Sequence, residues 1–235
     1  MTRINRRIAL LTEKYLVEPN TAFVIAQGKK TVQPGVIAKL AALTSPGAAI
    51  KGAAKTGDVE ALDRLYKTIA ECRFWYMDEH AIRSGHLNVV KWVWSKKMPS
   101  NGGFCHIAAD SGQLHILRWA RAHGHGWSAS TCACAASNGH LAVLQWLRAH
   151  GCPWDADTCT EAAWGGQLNV LEWALANKCP YDTREICRYA ARGGHLNVLE
   201  WVVGRGYDWY PHTCMAEAVI YGRQNVIDWI EKRTF

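Results

Sequence analysis

The sequence predicts an all-α solenoid, in which short helices stack as a series of similar repeats. Three observations predict it: an internal repeat of nearly constant length, helical spacing of apolar residues within it, and helices too short to be stable alone. The motif GHLNVVKW at Gly85 returns as GQLHILRW at Gly112 and GHLAVLQW at Gly139. Seven copies, spaced 27 or 28 residues apart, begin at Gly57, Gly85, Gly112, Gly139, Gly166, Gly194 and Gly222. Self-similarity at a fixed period of about 20–50 residues is typical of stacked repeat proteins.

The segment after each repeat glycine is predicted to be an amphipathic helix. Counting from the glycine, apolar residues usually stand at positions two, four, five, seven and eight, and position six is always polar. Such spacings place the apolar residues on one face of a helix. Position seven is a tryptophan in six copies: Trp92, Trp119, Trp146, Trp173, Trp201 and Trp229. We expect this tryptophan column to be buried in the core.

The segment before each glycine is predicted to be a second helix, centred on a pair of small residues such as Ala108-Ala109 or Ala162-Ala163. Small side chains let neighbouring helices approach closely. Thr158 and Asp182 each precede a glutamate at capping-box spacing and are predicted to cap two of these helices. Since neither helix of a repeat is long enough to be stable alone, adjacent repeats must stack and share a core.

These repeats resemble those of the ankyrin family. The ankyrin repeat has a T-P-L-H-x-A pattern over about 33 residues, followed by a glycine–histidine turn. The segment Cys105-His106-Ile107-Ala108-Ala109 matches L-H-x-A-A, and Gly85-His86, Gly139-His140 and Gly194-His195 match the turn. The compact, tryptophan-rich form is similar to arrays of large DNA viruses of amoebae and of some protists.

The resemblance covers residues 49–235, which it assigns to seven repeats, and leaves residues 1–48 as an N-terminal basic helical cap. At 27–28 residues the repeat is about five or six shorter than the ankyrin repeat. The loss falls between Trp154 and Thr158, where the family carries a projecting β-hairpin finger. We therefore expect the fingers to be shortened or absent.

The nine cysteines are predicted to remain reduced thiols. Cys105, Cys132, Cys159 and Cys187 each stand seven residues before a repeat glycine, which makes them an apolar core column. Equivalent residues of adjacent repeats are about 8–10 Å apart, whereas a disulfide needs Cα atoms within about 4.4–6.8 Å. The N-terminal apolar run is also too short for a secretory signal. We therefore expect an intracellular, cytoplasmic protein, in which thiols stay reduced.

The best metal-site candidate combines His123 and His125 with Cys132 and Cys134. Both residue types bind zinc, but the spacing matches no usual zinc motif. The turn histidines are expected to bond the backbone, because glutamine replaces them in two repeats. No phosphate-binding loop and no nucleophile with a regularly placed base is found. The sequence therefore predicts no metal, cofactor, small-molecule substrate or catalytic activity.

The positive net charge is confined to the first quarter of the chain. Residues 1–55 carry nine lysines and arginines against two acidic residues, whereas residues 56–235 carry 18 of each. This distribution leaves an alternative function open, in which residues 1–55 bind nucleic acid or an anionic membrane electrostatically. A mitochondrial presequence is a further alternative for this segment. No apolar run is long enough for a transmembrane helix.

The resemblance implies a monomeric, non-catalytic scaffold that binds a partner protein, a host protein if the chain is viral. In ankyrin arrays the concave surface is formed by the first helix and the following turn. The corresponding candidates are Arg83, Asp110, Asn138, Trp164, Arg192 and Tyr221, with Glu161, Arg188 and Tyr189 one turn earlier. Trp164 is the leading candidate because its equivalents are mostly polar, and Trp, Tyr and Arg often dominate binding energy. Alternatively, Trp164 only covers the neighbouring helix.

Overall fold

The structure is a computed structural model that describes residues 46–68, 77–98 and 103–234. These residues form fourteen helices and no strand. They divide between two compact bodies, which comprise the described residues up to 98 and those from 103 onward. Most of the predicted N-terminal cap, up to residue 45, and Cys72 lie outside the described residues.

The N-terminal body contains four described helices, arranged as two pairs. They are α1 (Pro46–Thr56), α2 (Val59–Thr68), α3 (Met77–Arg83) and α4 (Leu87–Ser95). Helix α1 packs on α2 and α3 packs on α4, while α1 and α3 also contact each other. A repeat glycine, Gly57 or Gly85, lies between the two helices of each pair.

The C-terminal body contains ten helices, arranged as five pairs. They are α5 (Phe104–Asp110), α6 (Leu114–Ala122), α7 (Ala129–Ser137), α8 (Leu141–Ala149), α9 (Ala156–Trp164), α10 (Leu168–Ala176), α11 (Thr183–Gly193), α12 (Leu196–Gly204), α13 (Pro211–Ile220) and α14 (Gln224–Thr234). The first helix of each pair packs on the second, and the first helices contact one another in the order α5, α7, α9, α11, α13. The predicted all-α solenoid is confirmed, and the described residues contain no β-hairpin finger.

The core is built from the columns that the apolar spacing predicts. Positions four, five and eight after the glycine are buried in all repeats except the last, as Val143, Leu144 and Leu147 of α8 show. The paired small residues of the first helices are buried as well, with Ala135 and Ala136 of α7 fully inaccessible. Burial of these columns between adjacent helices stabilises helices that are too short to form alone.

The prediction of a buried tryptophan column is wrong for most of its members. Trp92 is 9% exposed, but the five tryptophans of the C-terminal body are only half-buried. Indole is wide and carries an N–H group that needs a partner, so it lies at the edge of the core. Trp201 donates from Nε1 to Glu172 Oε1 at 2.7 Å, and the Trp146 and Trp173 rings meet loop tryptophans edge-on.

Helix capping follows the sequence prediction at one of the two sites. Asp182 caps α11, because its carboxylate accepts a hydrogen bond from the Arg184 backbone N–H at 2.8 Å. Thr158 does not cap α9, which begins at Ala156 with Asp155 at the N-cap position. Thr158 is instead buried in the first turn. The connection before α9 is therefore shorter than the capping-box spacing predicts.

The cysteine column is buried as predicted. Cys105 is 1% exposed, and its equivalents Cys132, Cys159 and Cys187 are fully inaccessible. Burial raises the pKa of the Cys105 thiol to about 11, so this thiol stays protonated near neutral pH. The column therefore serves as apolar packing, which agrees with the tendency of free cysteine to act as a small hydrophobe.

Adjacent repeats are joined at their turns by a recurring hydrogen bond. The His86 and His140 Nε2 atoms lie 2.8 and 3.1 Å from the carbonyl oxygens of Lys55 and Asp110, one repeat earlier. In the last repeat, Arg223 donates from Nε to the Arg192 carbonyl oxygen at 2.8 Å. The predicted backbone-bonding role of the turn histidines is thus confirmed at these positions.

The turn glycine Gly112 is required both by its backbone conformation and by this packing. Gly112 has a φ of +72°, and a Cβ atom there would lie 2.8 Å from the His140 ring. We expect Gly112→Ala to lower the free energy of unfolding by about 2–3 kcal/mol, since it combines left-handed strain with displacement of that ring. Chemical denaturation followed by circular dichroism measures the change.

Gly124→Ala is the matched control for this substitution. Gly124 has a φ of +83° but no atom within 4 Å of an added Cβ. It therefore reports backbone strain alone, for which we expect about 1 kcal/mol. Equal losses for the two variants would show that the histidine contact contributes nothing to stability.

Candidate partner-binding surface

One row of residues crosses the ends of the first helices of the C-terminal body. The row consists of the residues two before each repeat glycine: Asp110, Ser137, Trp164, Arg192 and Ile220. Because α5, α7, α9, α11 and α13 contact one another in sequence, these positions follow each other across the body. We call this set the inner row. Asn138 and Tyr221, predicted with it, lie one residue later, at the C-cap positions of α7 and α13.

The beginning of the inner row is polar, and its side chains bond one another. Asn138 donates from Nδ2 to Asp110 Oδ1 at 3.0 Å and to the Cys134 carbonyl oxygen at 3.1 Å. Ser137 Oγ donates to Glu161 Oε2 at 3.1 Å. These hydrogen bonds connect α5 to α7 and α7 to α9. Three of the predicted residues, Asp110, Asn138 and Glu161, therefore help to join adjacent repeats.

The end of the inner row carries exposed apolar side chains on both sides of Arg192. Trp164 is 47% exposed and Ile220 is 72% exposed, at equivalent positions of α9 and α13. Helix α11 lies between them and approaches α9 closely, since a Cβ atom on Gly193 would come within 2.6 Å of the Trp164 carbonyl oxygen. Trp164 and Arg192 are therefore neighbours on adjacent helices.

Charged and aromatic side chains surround Arg192. Its guanidinium lies over the Tyr221 ring at 4.4 Å and near the Tyr189 ring at 5.8 Å. Arg188 also lies over Tyr189, at 4.6 Å, and its nitrogens pair with Glu185 at 2.6 Å and Glu217 at 3.4 Å. The structure thus brings four predicted residues, Arg188, Tyr189, Arg192 and Tyr221, into one cluster.

Arg83 is the only predicted site residue in the N-terminal body. It is exposed at the end of α3, and its Nε pairs with Glu79 Oε1 at 3.0 Å.

The sequence analysis missed two residues of the candidate surface, Ile220 and Arg223. Ile220 occupies the same position before the glycine as Trp164 and Arg192, so strict alignment of that position identifies it. Arg223 replaces the turn histidine, and that exchange is the signal that identifies it.

The histidines and cysteines of the metal candidate are held by different neighbours. His123 Nδ1 bonds the Trp119 carbonyl oxygen at 2.8 Å, and the His125 ring stacks on Phe104 at 4.2 Å. Cys134 Sγ lies 3.4 Å from Nε2 of His106. Within residues 46–68, 77–98 and 103–234, no three such side chains come together in a group that could hold a metal ion.

The N-terminal body has an open depression of about 510 Å³ beside α2 and α4. Asp63 lines it, and hydrogen bonds from Lys67 and Lys96 lower the pKa of this carboxyl to about 2. Asp63 is therefore ionised near neutral pH and cannot act there as a general acid.

In the described part of the chain, no helix combines the length and the apolar character needed to cross a membrane.

Comparison with known proteins supports the fold. No family model matches the chain, and no curated protein sequence matches it. Among solved structures, the ankyrin repeat domain of human ASB11 is similar, with a TM-score of 0.51 and 15% sequence identity. The match covers 68% of this chain and 84% of that domain. Together with the stacked helix pairs and their glycine turns, this similarity shows that the chain has the ankyrin-repeat fold.

Proposed function

We propose that the chain is a non-catalytic scaffold that binds a partner protein through the end of the inner row. The observation that supports this most directly is the exposure of Trp164 on α9, next to Arg192 on α11. Tryptophan, tyrosine and arginine dominate binding energy in many protein interfaces. Helices held by a shared core present such residues in a preformed arrangement, which lowers the ordering cost of binding.

The contacts of the polar side chains also favour binding over catalysis. Asp110 of the inner row, and Glu161 and Arg188 one turn before the row, each bond a side chain of an adjacent repeat. The side chains of these three residues therefore serve as links between helices.

We further propose that the protein acts as a monomer in the cytoplasm, where reducing conditions keep thiols such as those of the buried cysteine column free.

The experiment compares the wild type with Trp164→Ala and Tyr181→Ala. Tyr181 is the matched control, because it is 49% exposed and lies in the loop before α11, outside the inner row. Each form serves as bait for affinity isolation from the source cell, and the affinity of every captured protein is then measured. A true partner should bind Tyr181→Ala normally and Trp164→Ala with a loss above about 1 kcal/mol, roughly fivefold in Kd.

Two results would contradict the proposal. The first is a partner whose affinity is the same for Trp164→Ala and the wild type. The second is binding that falls steeply with salt and disappears when residues 1–20 are deleted, because phosphate contacts produce such a salt dependence. That second result would support the electrostatic alternative.

A further inference from the structure

Two arginines lie together at the end of the inner row without an acidic partner. Arg223 donates from Nε to the Arg192 carbonyl oxygen at 2.8 Å, which holds the two residues against each other across adjacent repeats. Arg223 is exposed and Arg192 is half-buried. No carboxylate among the described residues forms an ion pair with either one. We call these two residues the arginine edge.

The nearby acidic side chains are already occupied by a third arginine. Arg188 binds Glu185 through one terminal nitrogen and Glu217 through the other. Glu185 and Glu217 are the acidic residues of α11 and α13, and both therefore pair with Arg188. Arg188 thus has two carboxylate partners, whereas neither residue of the arginine edge forms an ion pair with a described carboxylate.

The surroundings of Arg192 suit recognition of a carboxylate. Its guanidinium lies over the Tyr221 ring at 4.4 Å and lies 5.8 Å from the centre of the Tyr189 ring. A guanidinium carries five N–H donors in a fork that matches a carboxylate, to which it can form two parallel hydrogen bonds. Trp164 and Ile220, on the two neighbouring helices, flank the charge with exposed apolar surface.

We propose that the arginine edge binds an acidic segment of the partner protein, with an aspartate or glutamate on Arg192 and Arg223 and apolar side chains on Trp164 and Ile220. This inference rests on the proposed function, because it names the chemistry of the partner at the same surface. Charge complementarity supports it, since an acidic segment offers carboxylates to two guanidinium groups with which no described carboxylate pairs. The apolar flanks require large apolar residues beside the acidic one.

The test uses a random 16-residue peptide library displayed on phage as the probe, selected against the full chain. We expect the enriched peptides to carry aspartate or glutamate next to aromatic or aliphatic residues. A synthetic consensus peptide should bind Arg192→Glu at least about 10-fold more weakly than the wild type, because two hydrogen-bonded charges become a repulsion. Raising the salt concentration should weaken the wild-type complex, since the contact is partly exposed.

Arg184→Glu is the matched control. Arg184 lies on α11, is exposed, and contacts the ring of Tyr210 at 5.9 Å. Arg184→Glu makes the same change in net charge on the same helix as Arg192→Glu. The affinity of the peptide for this variant should stay within about twofold of its affinity for the wild type. Circular dichroism of both variants establishes that the helices are intact.

The outcomes separate this inference from the proposed function. One outcome is that the enriched peptides lack acidic residues, bind Arg192→Glu normally and lose affinity for Trp164→Ala. This outcome would overturn the inference that the partner segment is acidic, but it would support the proposed binding surface. Peptides whose affinity is unchanged by both Arg192→Glu and Trp164→Ala would overturn the inference and the proposed binding surface together. Failure to enrich any peptide would count against the inference as well, because a preformed site for a short acidic segment should select one.

Discussion

Leu144→Ala is expected to lower the free energy of unfolding by about 3 kcal/mol. Leu144 lies in α8 and is fully inaccessible to solvent. Truncation removes the transfer free energy of three carbon atoms and leaves a cavity that short, tightly stacked helices cannot fill completely. The change is measured by chemical denaturation of the full chain, followed by circular dichroism.

Leu141→Ala is the control for this prediction, since Leu141 begins the same helix but is only half-buried. Removal of the same atoms should cost about 1 kcal/mol there, in proportion to the apolar area withdrawn from water. If Leu141→Ala proves as destabilising as Leu144→Ala, the core of this repeat does not lie where the structure places it.

Trp173→Ala is expected to be almost as destabilising, at about 3 kcal/mol. Trp173 is half-buried on α10 and packs edge-on against Trp154, with 5.8 Å between ring centroids. The expected loss lies at the lower end of the range for aromatic truncation in cores, because part of the ring already contacts water. Thermal and chemical unfolding of the variant measure it.

Trp164→Ala is the contrasting variant. Trp164 is 47% exposed, so we expect a change in unfolding free energy below about 0.5 kcal/mol, as for most surface substitutions. Its effect should appear in partner binding. A loss of stability equal to that of Trp173→Ala would instead show that Trp164 packs on the neighbouring helix. The binding surface would then not lie where we propose it.

The composition of the candidate site was only partly predictable from sequence. Trp164 was identified because its equivalents are mostly polar, and the structure places it on the surface. Asp110 and Asn138, chosen from the same variable region, bond each other across adjacent helices. A variable position can serve either binding or contacts between repeats, and the alignment of repeats does not distinguish the two.

Sequence alone determined the repeat, the helix pairs, the ankyrin-type fold and the buried columns other than the tryptophan column. The physical reason is that these follow from local regularities: apolar spacing within a helix, small residues at close helix contacts, and glycine at left-handed turns. Each of these regularities involves only a few neighbouring residues, and it recurs in the seven repeats. A repeat that departs from the pattern therefore does not prevent its recognition, because the other repeats still show it.

Only the tertiary structure decided which side chains are satisfied within the protein and which face outward. Arg188 and Arg192 stand four residues apart on α11, yet Arg188 pairs with Glu217, 29 residues away, while Arg192 lies over the Tyr221 ring and pairs with no described carboxylate. The exposure of the tryptophan column was decided in the same way, by loop rings such as Trp154. Ion pairs and ring contacts depend on distances between neighbouring repeats, which periodicity along one chain does not fix.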